Sequence, residues 1–414
     1  MNGTLLKRLV PGAAGQTLRA LKHRNFRLFF FGQLTSLTGS WMQSLAQGWL
    51  VWRLTHSPWL LGLVGFFQMA PVLFLGLLGG VAADRFDRHK IVIATQSAAL
   101  IQSVILAALT LAGAITVWEI LGLAAVLGVV NAFDMPGRQA FLVQMVGRED
   151  LGNAIALNSS IFNGARIVGP AIAGFVVSRW GEGACFAANA VTFLAVLASL
   201  FAMRLEKRTI ARPTGGTWQR LQEGFSYSWR TPHVRALLSL VTVTSLFAFP
   251  YIVFLPALAG GVLHRGASGL GVLMTCSGIG ALSGALVIAH REGIRGLGRL
   301  TGTMAMAFGA TLVLFGYSNT FALSCAALSL VGFFMMCQMA ATNTLLQSLV
   351  PEDLRGRLMS LYVITFVGVT PVGSLIMGRV AAHVGVQAAI MGGGLVTVAA
   401  GLVFRLSVPR IRQT

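Results

Sequence analysis

Acidic residues are scarce in this chain: 12 Asp+Glu stand against 31 Lys+Arg in 414 residues, and only 10% of positions are charged. Soluble globular chains carry about 25% charged residues, so a water-soluble multidomain enzyme is excluded. Cysteine is scarcer still. The four present (Cys185, Cys276, Cys325, Cys337) fall in or at the ends of apolar runs, which reads as packing and supplies no disulfide or zinc framework. A phosphate-binding Gly-x-x-x-x-Gly-Lys-[Ser/Thr] element is missing, because none of Lys7, Lys22, Lys90 and Lys207 follows a glycine. The chain is therefore not an ATP pump. Neither a Ser/His/Asp arrangement nor a His/Cys cluster at metal spacing stands out. No catalytic residue, metal or cofactor is expected, and the chain does not read as an enzyme.

What is abundant is apolar. Hydrophobic residues make up 55% of the chain, and the mean hydropathy is +0.76. The apolar runs are long and continuous, where a β-barrel needs short alternating strands. Twelve runs are long enough to span a bilayer, at about 26–52, 58–82, 91–112, 116–133, 154–178 and 184–203, then 236–262, 268–289, 297–317, 321–345, 358–382 and 387–406. The expectation is an all-α integral membrane protein of twelve transmembrane helices in two pseudo-symmetric six-helix bundles. Its parts are a tail (1–25), an N-terminal bundle (26–203), a linker (204–235), a C-terminal bundle (236–406) and a second tail (407–414). Residues 1–25 lead into a full-length span, so a cleavable signal peptide is not expected.

The excess of basic residues, +19 in formal charge, is explained by where they fall. Arg53, Arg179, Arg265 and Arg379 lie on one side, and Arg166 lies within a span. Every other Lys and Arg shares the face of the N-terminal tail. That asymmetry predicts cytoplasmic termini and an inner (cytoplasmic) membrane of bacterial type. It also accounts for the charge through anionic lipid, so no nucleic acid is expected.

The halves repeat. Arg24–Arg27 resembles Pro232–Arg235, Leu61-Gly62 resembles Leu270-Gly271, Glu149-Asp150-Leu151 recurs as Glu352-Asp353-Leu354, and Pro170 answers Pro371. All these offsets are close to half the chain length. The small-residue pairs Gly76/Gly80 and Gly280/Gly284 are expected to let their spans approach neighbours closely.

The loop Gly79–Lys90 reads GGVAADRFDRHK. It resembles the signature loop of the major facilitator superfamily, G-x-x-x-D-R-x-x-R-[RK], with Gly80, Asp84, Arg85 and Arg88 on matching positions and His89 in place of a second basic residue. The resemblance implies a cytoplasmic latch, which Asp134 is placed to complete with Arg88. The segment Asp134–Pro170 is similar to the branch called transmembrane secretion effectors, which move siderophores and drugs. Within it, Gly164, Gly169, Pro170 and Gly174 partly resemble an antiporter motif, although Ala165 and Ala173 replace two glycines.

Ionisable or polar residues inside spans are candidates for function. Ser159, Asn163, Arg166 and Pro170 share one helical face, as do Gln33, Ser36, Ser40, Gln43 and Gln47. Both faces are expected to line a substrate cavity, with Gln338, Thr342, Tyr362 and Phe366 as further candidates. For Arg166, an anionic substrate and a structural ion pair are both open; for the glutamine stripe, so is interhelical hydrogen bonding. With so few acids, the candidate proton carriers are Asp134, at the inner end of the fourth span, and Glu119, within it near the outer end. The composite expectation is a monomeric secondary transporter working by alternating access. Its partners would be the bilayer, protons and a bulky, partly apolar small molecule, a siderophore or drug, which it exports. Import or facilitated movement of a metabolite or lipid-like molecule is the alternative within the fold. A non-transporting receptor or assembly partner is the alternative outside it.

Overall fold

Local signals set the helix starts. Ser57 caps the helix that opens with Pro58, its hydroxyl accepting from Leu60 N at 3.4 Å. Asp87 caps the next by accepting from His89 N at 2.9 Å, and Thr116 with Glu119 forms a capping box for the one after. The computed structural model describes residues 18–147, 149–204, 225–291 and 293–407. Most of both tails and of the central linker lies outside the described residues.

The described residues contain helices and no strands. In chain order the main helices are α1 (Arg24–Thr55), α2 (Pro58–Arg85), α3 (Arg88–Leu111), α4 (Val117–Val146) and α5 (Leu151–Phe201). They are followed by α6 (Pro232–Val262), α7 (Gly266–Ala289), α8 (Leu297–Tyr317), α9 (Phe321–Leu349), α10 (Leu354–Val384) and α11 (Val386–Ser407). Ten of them, α2 to α11, are long and apolar enough to cross a membrane. The polar stripe of α1 lowers its hydropathy, although its 32 residues give ample length.

The 51-residue α5 is not one rod. Gly181 sits inside it at φ 80°, ψ 175°, a backbone that residues with a side chain rarely adopt. The chain reverses there, because both arms flank α1. Gly169 of the first arm lies against Thr38 and Trp41, and Asn189 of the second lies against Gly39. Arg53 ties the end of α1 to Glu182 just past the reversal, with contacts of 2.7 and 3.2 Å.

Helix α4 departs from the sequence expectation: it runs on through Asp134, Pro136 and Gly137 to Val146 instead of stopping at Phe133. A proline leaves the carbonyl four residues back without its helical donor. Here that carbonyl, of Ala132, is covered by Gly79 of α2. The small-residue expectation is thus half right. Gly280 and Gly284 of α7 meet the Ser329 and Phe333 carbonyls of α9, whereas on α2 it is Gly79 that makes the close approach and Gly80 faces open space.

Two seams join residues before the linker to residues after it. In the first, α5 meets α7: a methyl group on Gly271 would stand 2.7 Å from the Pro170 carbonyl oxygen, and Thr275 Oγ1 donates to Ile167 O at 3.2 Å. In the second, α2 meets α10, with Gly62 against Ser374 and Gly378. Trp52 of α1 packs on Gly260 and Gly261 of α6. These contacts gather toward the end of the molecule that holds the Arg53–Glu182 pair. At the opposite end, Asp84, Arg85 and Phe86 are exposed.

Helix α6 is irregular. It passes from α-helix (Pro232–Val243) to π-helix (Thr244–Ala248), then a 3-10 stretch (Phe249–Phe254) and a second π turn (Leu258–Val262). Pro250 and Pro256 cannot donate to the helical ladder. The resulting bends bring Ile252, Val253 and Pro256 to the cavity described next.

Candidate transport cavity

Between the seams lies a cavity of about 390 Å³ whose walls differ in chemistry. Helices α1 to α5 supply its polar atoms: Ser36, Ser40, Gln43, Gln47, Gln68, Gln96, Asn131, Asp134, Arg138 and Asn189 line it. Helices α6 and α7 contribute Ile252, Val253, Pro256, Leu270 and Met274, all apolar. Such a space suits a molecule with hydrogen-bonding groups along one edge and hydrocarbon on the other.

One end of the polar wall is a charged network. Asp134 is 1% exposed and forms a hydrogen-bonded ion pair with Arg138, one turn further along α4. Its other carboxylate oxygen accepts from Thr95 Oγ1 at 2.8 Å and Gln96 Nε2 at 3.0 Å. Gln96 Oε1 in turn accepts from Ser36 Oγ at 3.3 Å, and Arg138 Nη1 donates to Gln33 Oε1 at 2.7 Å. Helices α3 and α4 thus meet at one carboxylate, and α1 joins the network through Gln33 and Ser36. A buried charge survives only when it is paired and fully hydrogen-bonded, and this one is.

A neutral network occupies the middle of the wall. Asn189 Nδ2 donates to Gln43 Oε1 at 2.8 Å, and Gln43 Nε2 donates to Gln102 Oε1 at 3.1 Å. Gln43 therefore joins α1, α3 and α5 besides touching the cavity. Gln47, a turn further on, lines the cavity with both amide atoms unpartnered among the described residues.

Several sequence expectations need correcting. Arg88 does not pair with Asp134. It reaches Ala83 O at 3.2 Å and Ala140 O at 3.1 Å, capping the carbonyl end of α2 against α4. Asp84 has no ion-pair partner among the described residues. Glu119 lies in the first turn of α4, exposed and away from the cavity, where its carboxylate accepts from Thr116 N at 2.9 Å. Arg138, read from sequence as a basic loop residue, belongs to the helix. Ser159 is exposed, and Asn163 donates to Ser159 O at 2.9 Å, so neither lines the cavity. Gln338, Thr342, Tyr362 and Phe366 also lie outside it. Gln338 reaches Thr244, Thr342 returns to the Gln338 carbonyl, and Tyr362 stacks on Phe366. Gly169, Pro170 and Gly174 do sit in tight helix contacts, whereas Gly164 has open space beside it.

Arg166 stands apart from the main cavity wall, behind Trp41, with its guanidinium carbon 6.0 Å from the centre of that ring. Among the residues that sequence reasoning missed are Thr95, Gln96, Gln102 and Asn189, whose bonds to Asp134 or Gln43 reach 38 or more positions along the chain. The Asp134–Arg138 spacing of four was visible, but it becomes a signal only once Pro136 is known to lie inside a helix.

Comparison with known proteins agrees with this architecture. The family described as transmembrane secretion effector matches residues 15–414. The staphyloferrin A transporter of Staphylococcus aureus is 25% identical, over 91% of this chain and 95% of that protein. The enterobactin exporter EntS of Shigella flexneri is 26% identical, over 94% and 93% respectively. Among solved structures, a POT family transporter in complex with 5-aminolevulinic acid superposes with a TM-score of 0.76 at 12% identity, covering 94% of this chain and 97% of that one. At that identity the likeness speaks for the fold alone.

Proposed function

The chain belongs to the transmembrane secretion effector family of the major facilitator superfamily, and on that premise we propose that it is a proton-coupled exporter of a bulky, partly apolar small molecule, of siderophore or drug type. The observation that carries this reading is the cavity whose polar side chains all come from α1–α5 and whose α6–α7 face is apolar, with the Asp134–Arg138 pair on its wall. Its relatives include a siderophore transporter and a siderophore exporter by name, which favours cargo that is bulky and rich in donors and acceptors. The protein works as a monomer of twelve spans, the two arms of α5 counting separately, in halves 26–203 and 236–406. Both termini face the cytoplasm, and the membrane is the inner membrane of a bacterial-type cell.

In this reading the Arg53–Glu182 end is external and sealed, and the signature-loop end is cytoplasmic. Cargo enters from the cytoplasm between α4 and the α6–α7 wall. Rocking the halves about the α2–α10 and α5–α7 seams then exposes it outside. Asp134 is the proton carrier. Once protonated, it no longer balances the Arg138 charge, and that imbalance is what couples proton binding to rearrangement. Release to cytoplasmic water restores the pair.

The test compares cells with and without the full chain for cytoplasmic accumulation of staphyloferrin A and enterobactin. In inverted vesicles, it asks whether an imposed pH gradient drives uptake of the same compounds. Lower cellular accumulation and gradient-driven vesicle uptake are expected. Higher cellular accumulation would overturn export, and uptake indifferent to the gradient would overturn proton coupling.

A further inference from the structure

The charges around the cavity do not cancel. Asp134 and Arg138 are the charged residues on its wall, and they neutralise each other through their ion pair. Arg166 is the third charge, and no carboxylate answers it among the described residues. It stands midway along the first arm of α5, fifteen residues from both Leu151 and Gly181. At 1.5 Å per residue that is about 22 Å from either end, well below the depth of lipid headgroups. Among the described residues its partner is the face of Trp41, at 6.0 Å. A cation–π contact at that distance is at the limit of the useful range.

The place is not sealed off from the cavity. Arg166 borders a small void with Trp41, Ile252, Met274, Leu255 and Ser277. The first three of these five also line the main cavity. Trp41 therefore has the cavity on one side and the guanidinium on the other. The void lies where α1, α5, α6 and α7 meet. Arg166's own carbonyl and the neighbouring Ile167 face Gly278 across the α5–α7 seam.

We propose that Arg166 is the cargo-recognising cation of this cavity, and that the cargo carries a negative charge which takes Arg166 from the face of Trp41. The inference rests on the transport reading above and deepens it by naming the charge class of the substrate. An intramembrane cation without a counter-ion is costly, and a carboxylate gives it a charge-assisted, bidentate partner that an indole ring cannot. The exchange is favoured because a weak contact is replaced by a strong one at low local dielectric. It also places the anion at the seam that must move, so occupancy is sensed where the halves meet.

The experiment uses the full chain in detergent and a matched pair of probes: 2-naphthoate, which is ionised at neutral pH, and its neutral methyl ester. Affinities are measured by calorimetry for the wild type, Arg166→Gln and Arg166→Lys. The wild type should prefer the carboxylate. Arg166→Gln should lower carboxylate affinity by roughly 10- to 100-fold, the worth of a charged hydrogen bond, and leave the ester unchanged. Arg166→Lys should recover part of the loss. Equal loss for both probes would mean that Arg166 merely holds the seam, and no loss for either would place the anion elsewhere; both overturn the inference. A wild type that binds neither probe overturns it as well. If the wild type still exports siderophore under any of these outcomes, the transport reading stands and this inference alone falls.

Discussion

Asp134 and Arg138 stand one turn apart on α4, and their ion pair is held from three sides by Thr95, Gln96 and Gln33. The carboxylate is 2% exposed at its side chain and the guanidinium 19%, so removing one partner strands the other. Breaking such a pair costs about 3–5 kcal/mol, whereas replacing both partners is often neutral. Asp134→Asn should therefore lower the melting temperature in detergent, and Asp134→Asn with Arg138→Gln should recover most of it. Neither variant should retain pH-driven export, and a loss of tenfold or more is expected. Full gradient-driven export by Asp134→Asn would remove the carboxylate from coupling.

The α5–α7 seam tolerates no side chain at its centre. A methyl group on Gly174 would lie 3.0 Å from the Gly271 Cα and 3.1 Å from the Ala267 carbonyl oxygen, while Gly164 on the same arm faces open space. Gly174→Leu should hold the halves apart at the Arg53–Glu182 end and reduce transport at least tenfold with helical content unchanged by circular dichroism. Gly164→Ala should leave transport within a factor of two and slightly favour the helix. Equal effects of the two substitutions would show that the seam does not close in the transport cycle.

Much of this architecture was legible in the chain because apolar run length is a strong signal. The limits came from prolines and from partners distant in sequence. Pro136-Gly137 reads as a helix end, yet Gly79 covers the carbonyl that Pro136 leaves free, and α4 continues. That single misreading hid Arg138 as the partner of Asp134 and promoted Arg88 in its place. The stripe of α1 borders the cavity at Ser36, Ser40, Gln43 and Gln47. The polar residues of α9 and α10 do not, because Gln338 and Tyr362 pack inside their own half. Periodicity identifies a polar face, but only the fold says whether that face meets a void or another helix.

The Arg53–Glu182 pair should respond unequally to loss of its two members. Glu182 is buried, with 8% of its side chain exposed, and Arg53 is half in solvent at 53%. Arg53→Met strands a carboxylate, which costs about 1–3 kcal/mol. Glu182→Gln leaves a cation that water can still reach, a change of about 1 kcal/mol or less. Thermal melts of the two variants test this order. A larger loss for Glu182→Gln would mean that the carboxylate has partners besides Arg53.

At the other end, the N-terminal segment is clipped to α5 by a group whose titration is predictable. Asp150 binds His23 Nε2 at 2.8 Å and also the Arg19 side chain, and Ala20 N donates to Asn153 Oδ1 at 2.9 Å. The His23 hydrogen bond, followed by that from Arg19, holds the Asp150 carboxyl below its ordinary value of 3.8. A depressed carboxylate contributes stability that is complete above the unfolded value and is lost as pH falls through the folded one. Amide protection of the Arg19–Lys22 turn should therefore fall as the pH drops below 3.8 and Asp150 gains its proton. Asp150→Asn should reduce protection at neutral pH and abolish the acid step, a difference read directly by hydrogen exchange after correction for intrinsic rates. An acid step that persists in Asp150→Asn would assign the clip to another group.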